Sequence, residues 1–418
     1  MMRRRNMAWL FLAIAVAVFC ATTVFKRGEK LWDYTIYVTA ARAYVAGADP
    51  YDHAAIEAVW RRDPATAGTT PPTSWLYSIV TPPTLLVLTP WAVTPQWVAR
   101  PAWAVLVVGL LLCAVGGAAR LARIPWNLPA AIWLAGGVLL LGPVQSAVLT
   151  GQPAGPAVAL IVLSNWLRAS GRPWGAGIAA GLATCLKPQL GLPFVVLAML
   201  RPPRKAGGVA LGVVAVLAVV SVAPLVMAGH RWAENLSENV RHSSTEGRPN
   251  DFAAPNPTRD HMVNLQMPVH AITGSRPAAH AVALGVAGVL GVAWLVAYWR
   301  RREPSLLPAA TLGAIVLLPV YHRYYDAALL ILPLAWAIGV LREGRPALRR
   351  YAIGVLVMMT PFALPVGWQT TLAGRAGFSA SVTESAVWRV GVMGVQAWAM
   401  LGLAVVLVMA MRVTEREV

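Results

Sequence analysis

WGAGIAAGLATCLKPQLGLPFVVLAML (Trp174–Leu200) is the stretch that decides how this chain folds. It is apolar and longer than the roughly 20 residues a helix needs to cross a hydrocarbon core about 30 Å thick. Lys187, Pro188 and Gln189 interrupt it at the middle. A charge at that depth is expensive and usually functional. Pro188 breaks the helix and frees backbone groups, which is tolerated where a segment lines a cavity. The bland alternative is a lysine that snorkels to an interface. Two foldings are open: one interrupted span, or two half-helices meeting at Lys187-Pro188.

The preceding segment bears on the choice. Trp75–Val93 is apolar but carries Pro82, Pro83 and Pro90. If it crosses, Arg120, Arg123, Arg168 and Arg172 fall outside, against the bias of Lys and Arg toward cytoplasmic loops. If it is re-entrant, they fall inside and Trp174–Leu200 becomes the two half-helices. The second folding agrees with the charge bias and is the expectation.

Further apolar runs lie at Met7–Phe25, Trp97–Ala119, Trp126–Leu141, Ala154–Leu167, Ala206–Met227, 278–299, Leu306–Val320, 327–341, Tyr351–Trp368 and Ala386–Met411. A chain of 418 residues, 57% hydrophobic and 12% charged, cannot bury them all in a soluble core. The fold class is therefore an all-α polytopic membrane protein, a bundle of about 11–13 transmembrane helices in one domain, 1–418. MMRRRN could open a signal peptide. No small-residue cleavage site followed by a soluble domain comes after it, so Met7–Phe25 reads as a retained helix. The net charge of +18 sits in short connectors such as Arg201–Lys205, Arg300–Arg302 and Arg342–Arg350. That is membrane topology rather than nucleic-acid binding. It places both termini inside and two long loops, 26–74 and 229–277, outside. Cys20, Cys113 and Cys185 lie in apolar spans and make neither a disulfide framework nor a metal site.

The acids are concentrated. Of 17, six fall between Glu29 and Asp63, five between Glu234 and Asp260, and none from Pro64 to Ala233. The first group belongs to KLWDYTIYVTAARAYVAGADPYD (Lys30–Asp52). Leu31–Ala46 reads as a short helix on the membrane surface, ended by Gly47, with Asp49-Pro50 starting a turn and Asp52 capping the next segment. Asp33 and Tyr37 share a face of that helix. A solvated loop carboxylate is the plain reading of Asp33. The functional one is a general base: transfer of a sugar from a lipid phosphate to a hydroxyl needs a group to take that hydroxyl's proton. Lys187 would suit a phosphate. His322 and Arg323, in YHRYYD at an outer helix end, suit donor-phosphate or acceptor contact; an Arg323–Asp326 pair is the bland alternative. The polar loop Asn235–His270 is long enough to suggest a function, and His242, His261 and His270 show no compact metal spacing.

These residues fall in motifs, and by them the sequence resembles glycosyltransferase family 87, polyprenyl-phosphate-sugar-dependent transferases of the GT-C fold. WDYTIYVTAARAYVAGADPYD is similar to that family's first-loop signature, and GRPWGAGIAAGLATCLKPQLGL to its Gly-rich helix ending in Lys-Pro. YSIVTPPTLLVLTPWAV, LTGQPAGPAVALIVL, ENLSENVR and YHRYYDAALLILPL resemble weaker elements, so that the likeness covers most of 30–335. The resemblance implies inverting transfer from a polyprenyl-phosphate sugar at the outer face, with Asp33 as base and His322 contributing. It implies a GT-C-type bundle in the plasma membrane, a glycolipid or glycan acceptor, and mannosyl- or arabinofuranosyltransferase relatives. The expected catalytic residues are Asp33 and His322; the expected substrate contacts are Tyr37, Arg42, Gln152, Lys187 and Arg323. No cofactor, metal or nucleic acid is expected. The rival classes are a transporter or flippase of lipid-linked sugars, which would also show broken helices and intramembrane charge, and a structural partner in an envelope complex.

Overall fold

The computed structural model describes residues 2–26, 31–63, 66, 77–253, 256, 258–301 and 306–413. Much of the first outer loop and the start of the expected Trp75 segment lie outside these. Among the described residues the chain is helical without strands, and Met262 and Arg323 form one isolated bridge.

The helices run in order as α1 (Met2–Thr23), α2 (Trp32–Val45), α3 (His53–Arg62), α4 (Pro82–Val93), α5 (Gln96–Leu121), α6 (Pro129–Leu140), α7 (Gly142–Thr150), α8 (Ala154–Ala169), α9 (Pro173–Leu186), α10 (Pro188–Leu200) and α11 (Lys205–Met227). After them come α12 (Trp232–Ser243), α13 (Gln266–Thr273), α14 (Arg276–Arg300), α15 (Leu306–Ile315), α16 (Ile331–Glu343), α17 (Pro346–Met359), α18 (Trp368–Arg375), α19 (Ala380–Thr383) and α20 (Val395–Arg412). A 3-10 turn, Tyr324–Leu330, leads directly into α16. Six helices are long and apolar enough to cross a membrane, eight if the bent pairs α6–α7 and α17–α18 each count as one. The other apolar segments are shorter: α4, α8, α9, α10 and α15. Valines stand exposed along the long helices, Val216 and Val219 on α11 and Val289 and Val292 on α14, as a lipid-facing surface requires.

The basic connectors gather at one end of the bundle. Arg342 donates to the Arg123 carbonyl, joining the ends of α16 and α5. Arg201 lies over the Tyr298 ring at 4.5 Å, and Arg301 donates to the Met411 carbonyl at 3.2 Å. Arg120, Arg123 and Arg168 belong to this end. The other end carries α2, α3, α12, α13 and the turn 321–326.

Two segments depart from simple crossing. α4 has 12 residues, about 18 Å of helix, too short to span. Both its flanks stay with elements at the end opposite the basic connectors: Val80 accepts from the Tyr51 hydroxyl at 2.8 Å, and Ala92 from Arg42 Nε at 3.1 Å. α9 and α10 form a hairpin that turns at Lys187. A methyl added to Gly191 would lie 2.5 Å from the Thr184 backbone, Ala180 packs on Val195, and Ala176 on Ala198. Pairs so far apart in sequence touch only if the helices run back along each other. Gly177 and Gly181 let α9 approach α11, where an added methyl would meet Val209 and Val213 at 2.5–2.7 Å. The half-helix folding of Trp174–Leu200 is thus the one the chain adopts, with both feet at the basic end.

The acidic turn motifs do as their chemistry suggests. Asp52 accepts from Ala54 N at 3.0 Å and starts α3; Asp49 accepts from Tyr51 N at 2.9 Å. Gly47, at φ 74°, lies just past the end of α2. The second long loop is stapled onto the first by α12: Asn235 donates to Asp49 at 2.9 Å, and Asn239 to the carbonyls of Tyr51 and Ser78 at 2.9 and 3.0 Å.

Candidate active site

Asp33 sits in the first turn of α2, where the helix dipole favours an anion. It is 8% exposed. Its partner is Gln152, whose Nε2 donates to Asp33 Oδ2 and approaches the Tyr37 hydroxyl, both at 3.1 Å. Gln152 reaches this point because Gly151 ends α7 at φ 68° and lies against α2, where a methyl would stand 2.7 Å from Tyr34 Cβ. Only glycine satisfies both conditions. Trp103 then fixes the turn by donating to the Gly151 carbonyl at 2.9 Å.

The second half comes from the turn 321–326 and the hairpin tip. Lys187 Nζ lies 3.3 Å from Asp326 Oδ1 and 5.0 Å from the Tyr325 ring centre. His322 Nδ1 is 3.2 Å from Asp326 Oδ2, which also accepts from the Arg323 backbone at 3.3 Å. His322 and Asp326 are wholly buried. His322 Nε2 has no hydrogen-bond partner among the described residues. Arg323 donates to the Pro249 carbonyl at 2.7 Å, tying the second long loop to this turn. Val263 and Leu265 extend the tie, donating to the carbonyls of His322 and Leu318, each at 3.1 Å.

The two halves form one electrostatic unit. Burial pushes the Asp33 carboxyl above its ordinary value near 3.8, against the opposing pull of Arg323, the Gln152 hydrogen bond and Lys187. Burial also raises the phenols of Tyr37 and Tyr321, the latter to about 12, so both stay neutral hydrogen-bonding groups. Two carboxylates, Asp33 and Asp326, thus face two cations, Lys187 and Arg323.

Of the residues expected from sequence, Asp33, Tyr37, Gln152, Lys187, His322 and Arg323 converge. Arg42 does not. It lies nine positions after Asp33, on the opposite face of α2, where it pairs with Asp63 and the Ala92 carbonyl. Lys187 is engaged by a carboxylate rather than standing open. Sequence reasoning paired Asp326 with Arg323 as a surface alternative and missed it as partner of Lys187 and His322. The available signal was the rule that intramembrane charges seek one another. No group of three His, Cys, Asp or Glu among the described residues stands close enough to hold a metal ion.

A buried polar cluster at one end of a polytopic helical bundle, built around a carboxylate, fits group transfer at a membrane surface. The chain belongs to glycosyltransferase family 87: the family's model matches residues 75–320, more than half of the sequence. It is accordingly a membrane glycosyltransferase, and the transporter reading falls away. No curated protein and no solved structure matches the chain. The matched span contains Gln152 and Lys187; Asp33, Tyr37, His322 and Arg323 lie outside it.

Proposed function

We propose that the enzyme transfers a sugar from a polyprenyl-phosphate donor to a lipid or glycan acceptor at the extracytoplasmic face of the plasma membrane, with inversion. The observation that carries this reading is the convergence of α2, the Gly151-Gln152 turn, the α9–α10 tip and the 321–326 turn on one carboxylate. That cluster lies at the end opposite the basic connectors, which the charge bias assigns to the cytoplasm.

In the proposed step the acceptor hydroxyl gives its proton to Asp33 and its oxygen bonds to the anomeric carbon. The bond from that carbon to the phosphate oxygen breaks, and polyprenyl phosphate leaves. Gln152 and Tyr37 orient Asp33. Arg323 and Lys187 offset the charge on the departing phosphate, and His322 Nε2 accepts a substrate hydrogen bond. Positioning and charge stabilisation supply most of the rate.

The test is turnover of polyprenyl-phosphate mannose and polyprenyl-phosphate arabinofuranose by the full chain in lipid nanodiscs. Asp33→Asn should lower turnover about 10²–10⁴-fold, the range for loss of a general base. Near-wild-type transfer by that variant would remove Asp33 from the role.

A further inference from the structure

The basic end holds a feature that the proposed transfer step does not use. A cavity of about 530 Å³ opens between α5, α8, α15, α16 and the start of α17. Among the described residues five arginines line it, Arg120, Arg123, Arg168, Arg301 and Arg345, against one carboxylate, Glu343. Glu343 is already matched by Arg345 at 2.6 Å, and Arg301 is turned to the backbone at the end of α20. Arg120 lies over Trp166 at 5.0 Å, and neither it nor Arg123 nor Arg168 makes a side-chain hydrogen bond or ion pair among the described residues. The floor is apolar, formed by Leu121, Leu307, Trp336 and Val340.

Like charges brought together around one cavity repel, and a bound anion removes that cost. Guanidinium groups match phosphate oxygens in fork geometry. The apolar floor beside them asks for a ligand with a hydrocarbon part. Basic pockets between transmembrane helices on the cytoplasmic side have the form that takes anionic lipid head groups.

We infer that this cavity binds the phosphate head group of one anionic phospholipid of the inner leaflet, with Arg120, Arg123 and Arg168 as its ligands. The site is independent of the sugar-transfer cluster, from which the span Tyr324–Glu343, about 30 Å of helix, separates it.

The test uses the full chain in phosphatidylcholine nanodiscs with added phosphatidylglycerol, read by native mass spectrometry. The wild type should retain one phosphatidylglycerol in preference to phosphatidylcholine. Arg120→Gln/Arg123→Gln/Arg168→Gln should retain it about tenfold more weakly. Arg349→Gln/Arg350→Gln/Arg412→Gln, which removes equal charge from the same end but outside the cavity, should behave as wild type. Should the first triple variant fail to fold, Arg168→Gln alone must weaken retention more than Arg412→Gln alone. Equal loss in both sets would reduce the effect to diffuse surface charge and overturn the site, as would a wild type indifferent to lipid class. Displacement of the lipid by inorganic phosphate alone would make it a soluble-anion site and equally overturn the lipid assignment.

Discussion

Asp33 shows what burial does to the proposed proton acceptor. Its folded-state pKa lies above its unfolded value, so between the two the folded chain binds the extra proton. That sign has two consequences. A base must be ionised, so turnover should fall as pH drops through the raised value, with an acid limb above 3.8. A pH–rate profile of the wild type reads this limb, and the residual activity of Asp33→Asn should lack it. Folding stability should run the other way, decreasing as pH rises through the same window. Asp33→Asn keeps an acceptor for Gln152 while removing the desolvated charge, so at neutral pH it should melt higher than wild type in a thermal scan. Such a variant, inactive but stabilised, separates chemistry from folding. Asp33 and Tyr37 were legible because helical spacing puts them on one face. Arg42 was misplaced because a tight cluster of polar residues in sequence says nothing about which of them looks inward; nine residues of helix make about two and a half turns and end on the opposite face.

At the level of elements, the α9–α10 hairpin carries a cation from the basic end into the polar cluster. Lys187→Met would leave the Asp326 carboxylate buried without its cation, at a cost of about 3–5 kcal/mol. The double variant Lys187→Met/Asp326→Leu should recover most of that loss, because a buried ion pair can be exchanged for apolar packing at little net cost. It should not recover turnover, since His322 loses the carboxylate that holds its ring in place. Chemical unfolding and transfer assays on the same three proteins check both statements; a double variant as unstable as the single would show the pair to be no pair. The break at Lys187-Pro188 was readable from proline and charge together. The partner was not, because Asp326 lies 139 positions away and nothing local joins the two. Likewise ENLSENVR was legible only as part of a long polar loop, not as the helix α12 whose Asn235 and Asn239 staple that loop to the first.

For the whole molecule, the gathering of basic connectors at one end fixes which loops share a side. The described fold accepts the re-entrant α4 and keeps Arg120, Arg123 and Arg168 with Arg201 and Arg301. In a cysteine-free background, Ser244→Cys should react with a membrane-impermeant thiol reagent in intact cells. Arg349→Cys should react only after permeabilisation, and the reverse pattern would turn the transfer cluster toward the cytoplasm. Hydropathy alone overstated the number of full spans, because it registers an apolar helix of 12 residues as readily as one of 25. Length, and the contacts at each tip, distinguish them. The hairpin adds a further consequence for how the protein tolerates change. Because its entrance and exit share one side, it contributes nothing to the parity of the chain's passages. Excising 173–200 would leave every later helix threading the bilayer in its present sense, empty of function but correctly oriented. A segment free of that constraint can vary the reach of its tip without re-routing the rest of the polypeptide.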